Sequence, residues 1–267
     1  MLLKLMKYEF IHSMRTFFVA FVIFWAGCIL LPFVTNSFIV NIPVIAIVFA
    51  VGFSFLTIGI IIALFVSIVV NYNRSMFKKP GYLTLTLPVS TKELILSKLL
   101  TTIIWLVIAS VVMMIGIFMI IFIEGMRQNL FTFDAFVEPI VSFFQNCIRV
   151  VIHYPFKTLY GIIIFFSQLV IFVAGIFFSI TIAHTKWFRK YQLFFGMIIY
   201  IMINFIIEWL GIVLFGSSSF MYLSMETQFM SLSIETYSIL FNLYYIFIGL
   251  LFIFGTIYII NHHIEIE

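Results

Sequence analysis

The chain has 267 residues, of which 64% are hydrophobic and only 9% charged, a balance that excludes a water-soluble globule. The formal net charge of +4 does not point to nucleic acid, because the basic residues flank apolar runs, where the rules of membrane topology account for them. The two cysteines, Cys28 inside an apolar run and Cys147 in a connection, imply neither a disulfide framework nor a metal site.

A helix needs about 20 apolar residues to cross a hydrocarbon core. Six runs meet that need, at about 18–34, 43–70, 99–123, 159–183, 193–215 and 237–260. The expected fold is an all-α membrane protein forming one transmembrane domain over 1–267, with no room left for a soluble catalytic domain. Any chemistry then belongs inside the bilayer or on a partner.

Residues 1–17 place Leu3, Met6, Phe10, Met14 and Phe17 along one stripe, with Lys4, Lys7, Ile11 and Arg15 off it. That pattern predicts an amphipathic helix on the inner membrane surface. A signal peptide is disfavoured, because the following apolar run is long and no small-x-small cleavage site precedes Asn36. The second run is longer than a bilayer requires, and Asn71, Tyr72, Asn73 and Arg74 continue its helix until Pro80 and Gly81 stop it.

Between spans two and three, residues 71–98 form a polar loop. Ser90 and Glu93 fit a capping box, so the third helix starts in the cytosol and runs from Thr91 through Lys98 into its span. Ahead of the cap, Gly81, Tyr82, Leu83, Thr84, Leu85, Thr86, Leu87 and Pro88 alternate apolar and polar. Alternation alone suggests a short strand. A lone strand at a membrane surface has no pairing partner, which favours a short helix.

Residues 124–158 are not a span. Phe133, Phe136, Val137, Ile140, Phe144, Ile148 and Val151 recur at helical spacing, with Asp134, Glu138, Ser142, Gln145 and Arg149 largely between them. This predicts an interfacial helix broken at Pro139. A basic link, His184 to Lys190, joins spans four and five. The segment 216–236, with Glu226 and Glu235 and no basic residue, is either an external loop or a segment dipping into the outer leaflet.

Counting charges orients the whole. With the amino terminus inside, the cytosolic segments hold Lys4, Lys7, Arg15, Arg74, Lys78, Lys79, Lys92, Lys98, Lys186, Arg189 and Lys190. Only Arg127, Arg149 and Lys157 fall outside, so both termini are expected in the cytosol.

No P-loop, zinc-protease or nucleophile-elbow sequence occurs, so the chain is not expected to be an enzyme or to bind ATP itself. His262 and His263, with Glu265 and Glu267 nearby, read as a solvated tail rather than metal ligands. Glu208 is the only acidic residue within an apolar span. A carboxylate at membrane depth is a functional candidate. Lying about two turns from the outer end of its span, beside Trp209, it can equally reach the interface. The thirty-six phenylalanines read as lipid-facing and packing material.

From Gly81 to Leu99 the sequence resembles the permease subunits of ABC-2 type transporters: a glycine, a short hydrophobic element, Pro88-Val89-Ser90, then a polar-capped helix with Lys98 before span three. An amphipathic start near Lys7 to Phe10 is also similar, whereas Lys78, Lys79 and Pro80 stand where the family commonly has acidic residues. The resemblance implies a six-helix exporter subunit in a bacterial plasma membrane, paired with an identical or different second permease. It also implies that Gly81 to Pro88 carry a short coupling helix docking into separate ATPase subunits, which bind ATP and Mg, and that the cargo is hydrophobic or peptide-like. The rival expectations are a non-transporting sensor or immunity protein that sequesters a ligand, and a secondary carrier, disfavoured by the scarcity of intramembrane charge.

Overall fold

The computed structural model describes residues 2–36, 42–77, 90–127, 133–185, 191–215 and 234–263. Among the described residues there are seven helices and no strand: α1 (Leu2–Asn36), α2 (Ile42–Phe77), α3 (Thr91–Arg127), α4 (Phe133–His153), α5 (Pro155–Ala183), α6 (Gln192–Phe215) and α7 (Ile234–His263). Six of them contain a stretch long and apolar enough to cross a bilayer: Leu3–Pro32, Val51–Phe77, Thr91–Ile123, Pro155–Ala183, Gln192–Leu214 and Ile239–His262. The chain is an all-helical, multi-pass membrane protein. Residues 81–88, where the sequence pattern leaves strand against helix open, lie outside the described residues, as does most of 216–236.

Two boundaries differ from the sequence expectation, each for a local reason. Residues 2–17 run on into the first span as the start of α1 with no break at residue 17, because no glycine or proline interrupts the chain between Leu2 and Trp25. Pro139 does not break α4 either. It removes one backbone donor, and the apolar stripe continues helically on both sides of it. The break falls instead at Tyr154, ahead of Pro155, which stands at the first position of α5 where its missing N–H would have had no partner. Backbone bonds from Tyr154 N to the Val150 carbonyl (2.9 Å) and from Thr158 N to the Tyr154 carbonyl (3.0 Å) bracket that joint.

The helices pack into two compact units. The first takes Met6–Val70 and Thr101–Ile162. Its core is the α1 face Phe17, Phe21, Phe24 and Cys28, all buried, set against Trp105 and Gly116 of α3. The Trp105 ring lies parallel to Phe10 (4.5 Å between centroids) and Phe17 (5.1 Å), and its Nε1 donates to the Ser13 hydroxyl at 2.8 Å. Phe10 and Phe17 are two turns apart, a rise of roughly 10 Å that suits an indole held between them. Phe10, Ser13 and Phe17 are therefore packing residues, while Ile11, Met14 and Arg15 between them stay exposed. Further along, Trp25 Nε1 donates to the Val112 carbonyl at 3.3 Å.

The second unit takes Met1–Leu5, Asn71–Leu100 and Ile163–Glu267. Its centre is the latter half of α5, where Val173 to Phe177 are buried in succession. A helix buried on every side is a core helix. Gly175 faces Phe252 of α7 and Tyr200 of α6, Gly196 of α6 faces Ile180 and Ala183, and Gly249 of α7 faces Ile171. Small residues at these points let the backbones approach, as membrane helices require where lipid competes equally for apolar side chains. Buried hydroxyls bond within their own helices: Ser179 donates to the Gly175 carbonyl, Thr181 to Phe177 (2.7 Å) and Thr256 to Phe252 (2.7 Å).

Candidate functional site

Of the residues that sequence reasoning selected, Ser90, Glu93 and Glu208 fall in the second unit. Gly81, Tyr82, Leu83, Thr84, Leu85, Thr86, Leu87 and Pro88 lie outside the described residues, but both flanks of that segment are placed. On the far side, Ser90 caps α3: its Oγ accepts from Glu93 N at 3.3 Å, and its carbonyl accepts from Leu94 N at 3.1 Å. Glu93 lies in the first turn of α3, where its negative charge favours the helix N-terminus. The next residue, Thr91, donates its hydroxyl to Asn261 Oδ1 on α7 at 2.7 Å. Lys98 is buried along the same helix.

On the near side, the last turns of α2 are fixed to α5 by aromatic contacts that the sequence reading missed. The Tyr72 ring stacks on Phe177 at 4.0 Å and 9°, and its hydroxyl lies 2.9 Å from Thr181 Oγ1. The single Thr181 proton is already given to the Phe177 carbonyl, so Tyr72 is the donor in that pair. Immediately before the undescribed segment, Phe77 meets Tyr72 edge-on (5.9 Å, 78°), and it stacks on His184 at 3.9 Å and 15°. Asn73 Oδ1 is the one buried side-chain polar atom among the described residues that lacks a hydrogen-bond partner. The missed signal was the pair of aromatics, Tyr72 and Phe77, persisting in an otherwise polar helix tail.

His184 carries a pH dependence. Its Nδ1 lies 2.8 Å from the Ile180 carbonyl, which can only accept, so Nδ1 holds the proton of the neutral ring. Burial holds the ring below its ordinary value of 6.5, and the Ile180 carbonyl opposes that shift only in part. A histidine depressed in the folded state binds its proton better when unfolded, so its contribution is constant above the unfolded value and is lost as pH falls through it. The expected result is a thermal midpoint in detergent that declines from about pH 7.5 to about pH 5.5, less steeply in His184→Gln than in the parent chain. Equal slopes would remove His184 from the account.

Glu208 sits on the exposed side of α6. Its Oε1 accepts from the Tyr245 hydroxyl of α7 at 3.1 Å, and the neighbouring Tyr244 hydroxyl donates to the Ile207 carbonyl at 2.9 Å. Gly211, one turn further, faces Phe241 and Tyr244, so this end of α6 lies against a row of aromatic rings. His262 stacks on Tyr258 (4.6 Å), with its Nδ1 3.1 Å from that residue's carbonyl, whereas Glu265 and Glu267 lie outside the described residues. Among the described residues no group of three His, Cys, Asp or Glu side chains is placed to hold a metal ion. No protein-family model, no curated protein and no solved structure matches this chain.

Proposed function

We propose that the chain is the membrane subunit of an ATP-driven exporter of the ABC-2 type, working in a bacterial plasma membrane with separate ATPase subunits and a second permease. One observation carries the reading. α3 starts at a capped Ser90 immediately after the Gly81 to Pro88 element and runs unbroken to Arg127, so a push on that element tilts a membrane-crossing helix as a lever. The flanks agree with this: Phe77 on His184 and Thr91 on Asn261 anchor the two ends of the loop to α5 and α7, which would then move with it. The distribution of lysine and arginine puts this loop and both termini in the cytosol. It puts α4, whose apolar residues share one face, on the outer surface of the membrane. Paired permeases would enclose a pathway for hydrophobic or peptide-like cargo, alternating access as the ATPases bind and hydrolyse ATP with Mg.

The test is affinity purification of the tagged chain from its own cells in mild detergent. A nucleotide-binding subunit is expected to co-purify, and Leu83→Asp or Leu85→Asp is expected to abolish that association while leaving the permease in the membrane fraction. An ATPase that stays bound to both variants would refute docking at this loop, and its absence from the parent chain would refute the exporter reading.

A further inference from the structure

We propose that the Glu208 edge of α6 and α7 binds the charged head of an amphipathic monocation, such as an alkylammonium or arylphosphonium ion, with the apolar body of the ligand lying along the exposed face of α6. Glu208 is about seven residues, or roughly 10 Å, from the end of α6 at Phe215, within a stretch long and apolar enough to span a bilayer. A carboxylate facing hydrocarbon at that depth requires a compensating partner. The chain supplies only part of one. The Tyr245 hydroxyl is the sole hydrogen-bond partner of Glu208 among the described residues, whereas a carboxylate offers about four acceptor positions. Neither α6 nor α7 contains a lysine or an arginine, so no basic side chain of this helix pair competes with a bound cation for the carboxylate.

The surroundings select the kind of cation. Phe241 meets Tyr245 edge-on at 4.8 Å and 79°, and Tyr244 meets Tyr245 at 5.4 Å and 71°, so the tyrosine that bonds the carboxylate is one of three contacting aromatic rings on α7. Ring faces attract large, weakly hydrated cations, and a quaternary or aryl-substituted centre loses little hydration on reaching them. A metal ion would need several oxygen ligands, and one carboxylate beside phenyl rings does not provide them. Flanking Glu208 on α6, Phe205 and Trp209 are 69% and 56% exposed, and with Ile201 and Met202 they offer an open apolar strip for the rest of the ligand. One carboxylate matches one positive charge.

This inference deepens the exporter reading by naming a cargo class, and rests on that reading only for the step of transport. Binding is measured on the purified chain alone, without ATPase or nucleotide, as equilibrium binding of radiolabelled tetraphenylphosphonium in nanodiscs. Tetraphenylborate, the anion of the same shape, serves as the control. The expected result is saturable binding of the cation and not of the anion. Glu208→Gln is expected to weaken the cation by about tenfold or more, Tyr245→Phe less, and Glu208→Asp least. Equal binding of the two ions by the parent chain overturns the proposal whatever the variants do, so it stays testable even if Glu208→Gln fails to fold. Undiminished cation binding by folded Glu208→Gln overturns it too, leaving non-specific partition into the apolar strip. Charge-selective binding by a chain that recruits no ATPase would keep this site and remove the exporter. An ATPase that co-purifies with a chain lacking such binding would do the reverse.

Discussion

Replacing Trp105 by alanine is expected to destabilise the first unit by about 3 kcal/mol, the low end for a buried tryptophan because lipid competes for the freed apolar surface. Three losses combine. The indole leaves a void between Phe10 and Phe17, which lie parallel to it at 4.5 and 5.1 Å. The contact with Phe21 at 6.2 Å also goes. Last, Ser13 loses the donor that reached its oxygen at 2.8 Å, although its own proton remains bonded to the Glu9 carbonyl at 2.7 Å. The parts separate by substitution. Trp105→Phe keeps a ring in the slot and forfeits chiefly the hydrogen bond, costing about 1 kcal/mol. Ser13→Ala instead strands a buried indole N–H and is expected to cost more, about 1–3 kcal/mol. Reversible unfolding in mixed micelles against the mole fraction of SDS ranks the three. Should Trp105→Ala fall within error of the parent chain, the indole would be a bystander.

Gly116→Leu is expected to be as damaging, through crowding rather than a void. A Cβ at this position would stand 2.6 Å from Phe24 Cε1, 3.1 Å from Phe24 Cζ and 3.1 Å from Cys28 Sγ. Neither neighbour has room to retreat, since Phe24 is 3% and Cys28 0% exposed. A single added methyl in Gly116→Ala should cost about 1–3 kcal/mol, and leucine should prevent α1 and α3 from meeting at all. Shrinking the obstruction offers the decisive control. In the double variant Phe24→Leu with Gly116→Ala, the two changes should be coupled favourably by about 0.5–3 kcal/mol, because the space vacated by the ring accepts the methyl. Strict additivity in the same micelle assay would show that the close approach of α1 and α3 at this glycine is not what stabilises the pair.

Much of the architecture was legible because one physical rule dominates it. In hydrocarbon every backbone polar group must be satisfied within the helix, so a run of apolar residues long enough to cross has one available conformation. The six spans follow from that, whereas the prolongation of α2 beyond Arg74 to Phe77 follows from the absence of a helix breaker before Pro80. Which face of a span meets its neighbours was not legible, because an apolar helix shows no polarity contrast between its lipid side and its protein side. Phe17, Phe21 and Phe24 are buried, whereas Phe18, equally apolar, is 57% exposed, and only packing separates them. The same blindness hid Tyr72, Phe77 and His184, which read as helix tail and basic link until α2 and α5 were seen side by side. Glu208 stood out as a charge among apolar residues, but its tyrosine partner on α7 could not be read from α6. Pro139 misled for the opposite reason, a local rule yielding to a stripe that continues across it.

The bond between Trp105 and Ser13 joins residues ninety-two positions apart, and that between Tyr72 and Thr181 joins residues one hundred and nine apart. Synthesis from the amino terminus therefore sets an order of assembly. The first helix waits in the bilayer with its Ser13 face uncovered until the third has been made, and the base of the second waits until the fifth arrives. Thr91 meets Asn261 only later still, so the far flank of the polar loop is held last, once the seventh helix has been made.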